Sequence, residues 1–251
     1  MAKVIAIANQ KGGVGKTTTA INLAASMAAN RQQVLLMDLD PQGNATMGSG
    51  IDKNDLVHTS NDVLLRDCLA QQAALSTSCD YDLIPANGDL TVAEVSLMER
   101  SHRETFLYKA LQPVQKEYDY IFIDCPPALN TLTINALVAA DTILIPIQCE
   151  YYALEGLGQL VGNVDLVKSN LNPDLEISKI VLVMYDSRTK ISKQVADEVR
   201  EHFGDRVCEQ IVPRSVRLSE APSYGQPITI FDPTSTGAVA YRELAKEVLN
   251  E

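Results

Sequence analysis

The sequence predicts an α/β fold: a doubly wound, mostly parallel sheet flanked by helices. Three observations lead there. Short apolar runs such as VLLMD at 34–38 and YIFID at 120–124 lack polar alternation, as strands buried on both faces do. Stretches of helical periodicity separate these runs along the chain, and parallel neighbours require such crossovers. A glycine-rich loop also joins the first strand directly to the first helix.

The elements follow in order. Lys3–Ala8 (KVIAIA) reads as a buried strand, and Thr17–Ala29 as a helix rich in good helix formers. Val34–Asp38 is a second strand, ending in the segment DLDPQG. Between Asp52 and Cys79 neither period is convincing. Tyr81–Ala86 reads as a strand, and Leu90–Met98 and Thr105–Lys116 as helices. Tyr120–Asp124 is a strand stopped by Pro126-Pro127, followed by a helix over Leu132–Ala140 and a strand over Thr142–Ile147. Then come a long helix (Leu154–Leu171), a strand (Ile177–Met184), a helix (Ser192–Phe203), a strand (Cys208–Val212) and a last helix (Ala238–Leu249). No Pro/Ser-rich linker, repeat or low-complexity stretch interrupts the 251 residues, so one domain over 1–251 is expected.

Composition narrows the function classes. Hydrophobic residues make up 46%, enough for a sizeable core. No apolar run is long enough to cross a bilayer, and the N-terminus enters a strand with no signal-peptide pattern, so a cytoplasmic protein is expected. Cys68, Cys79, Cys125, Cys149 and Cys208 are odd in number and unpaired in spacing, which argues for plain thiols. The net charge of −11 argues against wholesale nucleic-acid binding, but the charge is uneven. Lys179–Arg217 holds eight Lys or Arg against six Asp or Glu, a local net of +2.

The sharpest motif is Lys11-Gly12-Gly13-Val14-Gly15-Lys16-Thr17-Thr18. Its end matches the phosphate loop G-x-x-x-x-G-K-[ST], whereas the first glycine position is Gln10. Glycines let the backbone N–H groups of this loop turn inward around phosphate oxygens, and the following helix offers its positive end to the same anion. Lys16 can reach the outer phosphates, the Thr17 hydroxyl can ligate Mg²⁺, and Thr18 can hold the α-phosphate. Asp40 lies just past a strand end, the edge where open α/β sheets bind ligands, and a carboxylate there can polarise an attacking water. Asp124 ends an apolar strand, the place of the acid that holds Mg²⁺ in such ATPases.

The run NQKGGVGKTTTAINLA with DLDPQGN downstream resembles the ParA family of DNA-partitioning ATPases, nearest its chromosomal Soj branch. IDCPP (123–127), EYYALEG (150–156) and IVPRSVRLSEAPSYG (211–225) extend the resemblance over essentially the whole chain. It implies a P-loop NTPase fold with a deviant Walker A motif, marked by the extra lysine, Lys11. It implies a weak ATPase that uses ATP and Mg²⁺, with Lys11, Lys16 and Asp40 as catalytic residues. Thr17, Asp40 and Asp124 would attend the metal. Lys11 would reach across an ATP-bound sandwich homodimer to the partner's phosphates. Met184-Tyr185, Pro213 and Arg214 would surround the adenine. Asp38 comes with the same motif as Asp40.

The locally basic segment contributes Arg188, Lys190, Lys193, Arg214 and Arg217. No helix with base-reading side chains stands out, so non-specific double-stranded DNA is the expected ligand, with Arg188 and Arg217 best placed by resemblance. The resemblance further implies a ParB-type centromere-binding partner that stimulates hydrolysis, and a nucleoid-associated location. The chain begins two residues before its first strand, which favours the chromosomal or short plasmid type.

The alternative is a MinD-like membrane-associated ATPase. It would end in a basic amphipathic helix, whereas AYRELAKEVLNE (240–251) is acidic at its tip, so no membrane partner is expected. An iron–sulfur carrier would need paired cluster cysteines. A metabolic synthetase would need a further substrate-pocket signature.

Overall fold

The computed structural model describes residues 1–250. β1 (Lys3–Ile7) leads through a loop to α1 (Lys16–Ala29), and β2 (Val34–Asp38) follows. Next come α2 (Asn44–Gly48), α3 (Ser60–Leu65), α4 (Ala70–Ala73), β3 (Leu75–Ser76), β4 (Asp82–Ile84), α5 (Leu90–Met98) and α6 (Phe106–Leu111). β5 (Tyr120–Asp124), α7 (Thr131–Ala139), β6 (Thr142–Gln148), α8 (Ala153–Asn170) and β7 (Glu176–Val183) alternate regularly. α9 (Lys190–Phe203), α10 (Val216–Glu220), α11 (Ile228–Phe231) and α12 (Thr236–Leu249) complete the described chain.

The described strands form one sheet in the order β3-β4-β2-β5-β1-β6-β7. All pairings are parallel except β3 with β4. The sheet is therefore doubly wound and mostly parallel, as the sequence predicts. Alternate side chains of each strand feed opposite faces. Val4, Ala6, Leu35, Met37, Ile121 and Ile123 pack on one side, while Ile5, Ile7, Val34, Leu36 and Phe122 pack on the other, against α1 and α12.

Two differences from the expected elements matter. Cys208–Val212 is not a strand. Its N–H groups bond to β7 only at Cys208 and Val212, to the carbonyls of Ile180 and Leu182 at 2.9 Å each. The segment covers the sheet edge without a continuous ladder. The indeterminate 52–79 region holds α3, α4 and β3, elements too short for a periodicity to show. α3 is instead fixed by a capping box between Thr59 and Asp62.

α12 turns its apolar face inward: Ala238, Tyr241, Leu244, Ala245 and Val248 are buried. A helix lying on a membrane needs that face free. Among the described residues no helix is long and apolar enough to cross a membrane. The acidic tip residue Glu251 lies outside the described residues.

Candidate functional site

Strand register assembles the site. Ile7 pairs with Asp124, and Asp124 pairs with Asp38, so one row at the carboxyl edge of β1, β5 and β2 carries both acids beside the loop that leaves β1. β1 is where the strand order reverses, the crevice in which open α/β sheets bind ligands. The loop itself turns through two left-handed glycines, Gly13 at φ 74° and Gly15 at φ 79°, the latter capping α1. Asn9 anchors its start: the buried Asn9 amide donates to the Pro146 carbonyl at 2.7 Å and accepts from the Lys11 N–H at 3.0 Å.

Gly12, Gly13, Gly15, Lys16, Thr17, Thr18 and Asp40 line a cleft of about 330 Å³, which Gln42, Asn44, Pro127 and Met184 complete. Lys16 is buried, and its ammonium donates to the Lys11 carbonyl at 3.2 Å. Burial holds this ammonium below its ordinary pKa, while the negative charges of Asp124 and Asp40 work the other way. A second, largely apolar cavity of about 260 Å³ adjoins it through Gly15, Thr18 and Met184. Its other walls include Val183, Val212, Pro213, Arg214, Leu218 and Tyr241. The Tyr185 N–H donates to the Val212 carbonyl and the Arg214 N–H to the Tyr185 carbonyl, so the 212–214 wall is tied to the end of β7 despite the missing strand. Met184 joins the two cavities at φ 51°, a left-handed conformation costing on the order of 1 kcal/mol or more for a side chain other than glycine.

The three acids have different surroundings. Asp38 is fully buried and saturated. It accepts from the Asp40 N–H at 3.1 Å, the Thr46 N–H at 2.8 Å and the Thr46 hydroxyl at 2.7 Å. Burial pushes its carboxyl up to about 6 in spite of these bonds. It binds α2 to the sheet. Asp40 is turned to the cleft, with one oxygen accepting from the Gln42 N–H at 3.0 Å. Asp124 is fully buried, and neither of its oxygens reaches a hydrogen-bond donor in good geometry. Burial and then the Asp38 charge raise its pKa well above the carboxylate range, against the steadying Thr17 hydroxyl and Lys16 ammonium.

A buried carboxylate without a donor is costly unless something charged sits against it. The donor set at this place, Asp124, the Thr17 hydroxyl and Asp40 close by, fits Mg²⁺. Among the described residues no three His, Cys, Asp or Glu side chains close into a metal cage. Mg²⁺ suits such a place, because it keeps water and phosphate oxygens among its ligands.

The extra lysine directly precedes Gly12, the first residue of the cleft lining. Lys11 Nζ pairs with Glu150 Oε2 at 2.9 Å, both side chains being nearly half exposed. Gln148 also donates to Glu150. Glu150 belongs to the EYYALEG motif but had no role assigned from sequence.

Of the basic candidates, Arg188, Lys190, Lys193, Arg214 and Arg217 are all exposed. Lys190 and Lys193 lie in the first turns of α9 and make no ion pair among the described residues. Arg188 and Arg214 both bear on Asp186. Arg188 grips it with two bonds, and Arg217 is held by Glu220 and Asp232. The contributions of Tyr241 and Leu218 to the apolar cavity, and of Glu150 to Lys11, escape sequence reading. Leu218 and Glu150 lie in motifs that do not themselves say what these side chains touch, and Tyr241 lies in a helix more than 200 residues after the phosphate loop.

Residues 2–177 match the family described as an AAA domain. Over 98% of its length the chain is 54% identical to the chromosome partitioning protein ParA of Myxococcus xanthus, covering 88% of that protein. It is 52% identical to the sporulation initiation inhibitor protein Soj of Bacillus subtilis, covering 99% of this chain and 98% of that one. Among solved structures it resembles a cobyrinic acid a,c-diamide synthase from Mycobacterium smegmatis with bound ATP analog and magnesium. That match has a TM-score of 0.88 and 38% identity, and covers 100% of this chain and 95% of the other.

Proposed function

The chain belongs to the ParA/Soj family of chromosome-partitioning ATPases, and we propose that it is the nucleotide switch of a partition system: an ATP-bound dimer that holds DNA and lets go on hydrolysis. The single observation that carries the reading is the cleft. An inward lysine, two threonines and an acid surround a space suited to phosphates, a second, fully buried acid lies close to that lysine and to Thr17, and an apolar cavity adjoins for a base. Sequence identity is higher to the partition proteins than to the synthase-titled structure, and that decides between the two.

In this reading the backbone of Lys11–Gly15 donates to the phosphates and Lys16 neutralises the outer ones. Bound Mg²⁺ would supply charge neutralisation on the phosphate oxygens, held by Thr17 and Asp124. Asp40 orients and polarises the attacking water. Met184, Pro213 and Arg214 enclose the adenine. Lys11 leaves Glu150 to contact the phosphates of a second copy, so that ATP joins two chains. An exposed ion pair of this kind is worth at most about 1 kcal/mol, so it does not prevent the exchange.

DNA binding belongs to the same reading. Lys190 and Lys193 stand at the positive end of α9, where cations are disfavoured by the helix dipole. Bound phosphate would relieve that repulsion. Two copies joined through ATP would double the basic surface, which accounts for DNA binding by a chain of net charge −11. A ParB-type partner stimulates hydrolysis and ends the DNA-bound state on the nucleoid.

The test is light scattering of the wild type and Lys11→Ala with ATP and with ADP. The wild type is expected to dimerise with ATP only. Lys11→Ala is expected to stay monomeric with ATP while its ADP affinity changes by less than about threefold, as for an exposed side chain. ATP-induced dimerisation of the variant would sink the trans role of Lys11.

A further inference from the structure

The two arginines best placed for DNA are not free cations. Asp186 holds one edge of the Arg188 guanidinium in a bidentate fork, with Nε to Oδ1 at 2.8 Å and Nη2 to Oδ2 at 2.7 Å. Arg217 is held by acids from two separate elements. Its Nε reaches Asp232 Oδ2 at 2.9 Å, and its Nη1 reaches Glu220 Oε2 at 2.9 Å. The same guanidinium lies 4.7 Å from the centre of the Phe231 ring, which in turn contacts the Tyr224 ring at 4.9 Å. Arg217 is thus fixed from two sides by charge and from a third by an aromatic face.

The local charge follows directly. The bidentate Asp186–Arg188 pair sums to zero, with the Arg214 charge also acting on Asp186, and Arg217 with Glu220 and Asp232 sums to −1. The pairing lowers the Asp186 carboxyl to about 2 and also lowers Asp232, so both stay ionised at any working pH. A DNA phosphate approaching these places meets a negative triad at Arg217 and, at Arg188, an arginine whose charge Asp186 cancels, with Arg214 nearby. Each arginine still has N–H donors to spare, since a guanidinium carries five and two are used here. Contact remains possible but must be made beside acids that repel the phosphate.

We propose that Asp186, Glu220 and Asp232 act as a brake on DNA binding, holding Arg188 and Arg217 and setting the affinity of the DNA-bound state below what the arginines alone would give. The inference rests on the DNA-binding reading above. It adds that the acids are part of that surface. A chain that must leave DNA each time its nucleotide is hydrolysed needs a weak, salt-sensitive hold, and acids paired to the contacting arginines give one.

The experiment uses the full chain with Mg-ATP and a non-specific duplex, read by fluorescence anisotropy across a salt series. The proteins are the wild type, Glu220→Gln, Asp232→Asn, Asp186→Asn and Arg217→Glu. Removing one acid is expected to tighten binding about three- to tenfold at low salt and to steepen the plot of log affinity against log salt by up to about one. Arg217→Glu is expected to abolish binding. Asp232 also accepts from Thr234 and supports the turn before α12, so its variant could disturb the fold. Glu220→Gln keeps the test secure, because the ion pair and hydrogen bond of the Glu220 side chain among the described residues go to Arg217 alone. Unchanged or weakened binding by Glu220→Gln and Asp186→Asn, with ATP-dependent dimerisation intact, would overturn the brake while leaving the DNA reading standing. A wild type that binds no duplex in any nucleotide state would overturn both.

Discussion

Asp40, just past the end of β2, and Asp124, at the end of β5, are both buried acids, yet their surroundings differ. Asp40 faces the cleft and keeps an oxygen available, so Asp40→Ala should retain ATP binding and lose hydrolysis by about 100-fold or more, measured as phosphate release under saturating ATP. Asp124 has no hydrogen bond in good geometry, and its raised pKa gives a pH signature in the nucleotide-free protein. A carboxyl whose folded pKa lies above its unfolded value takes up a proton on folding. Its contribution is complete below the unfolded value, near 4, and is lost as pH rises through the folded one. Asp38, raised to about 6, acts in the same direction. Asp124→Asn should therefore be more stable than the wild type at pH 8, by about 1–3 kcal/mol, with the gap closing towards pH 4. Urea midpoints of the two nucleotide-free proteins at both pH values check this, and an equal gap at both would refute it. The sequence already placed Asp124 at a strand end. That it stands unpartnered was not legible, because this depends on which donors Thr17 and Lys16 bring from another element.

At the scale of elements, the alternation of strand and helix was legible because buried parallel strands leave continuous apolar runs. The edge segment 208–212 was not. Its apolar residues look like a strand, but whether a ladder forms depends on backbone register against β7, which side chains do not encode. The phosphate loop was legible because its glycines, lysine and threonines are contiguous. Its support was not, since α1 is held by α12 from the far end of the chain. The Thr19 and Tyr241 hydroxyls meet at 3.2 Å in the buried interface of these helices. Tyr241→Phe should cost about 1 kcal/mol in urea unfolding, the usual worth of one hydrogen bond, and leave hydrolysis within twofold. Tyr241→Ala should cost about 3–5 kcal/mol and also weaken ATP binding, because the ring lines the apolar cavity beside Gly15 and Thr18.

For the whole molecule, the two hydrophobic layers share every central strand, since alternate residues of β1, β2 and β5 feed opposite faces. Neither layer can loosen without exposing the other side of the same strands, so we expect one domain and one unfolding transition. The chain has no Trp and nine Tyr, so tyrosine fluorescence and far-ultraviolet circular dichroism provide two independent probes. Their thermal transitions should coincide. Mg-ATP engages only the folded cleft, so it stabilises by mass action. At a nucleotide concentration 100 times Kd the gain is about 2.7 kcal/mol. For a chain of this length 1 kcal/mol moves Tm by roughly 2–4 °C, which gives a shift of roughly 5–11 °C. Lys16→Ala should show almost none of it, because Lys16 is the buried cation of the cleft and no other lysine lines it. The shift should appear equally in both probes, since the cleft is built on strands common to both layers. Two separate transitions, or a nucleotide shift confined to one probe, would mean that the layers unfold independently and that the site belongs to only one of them.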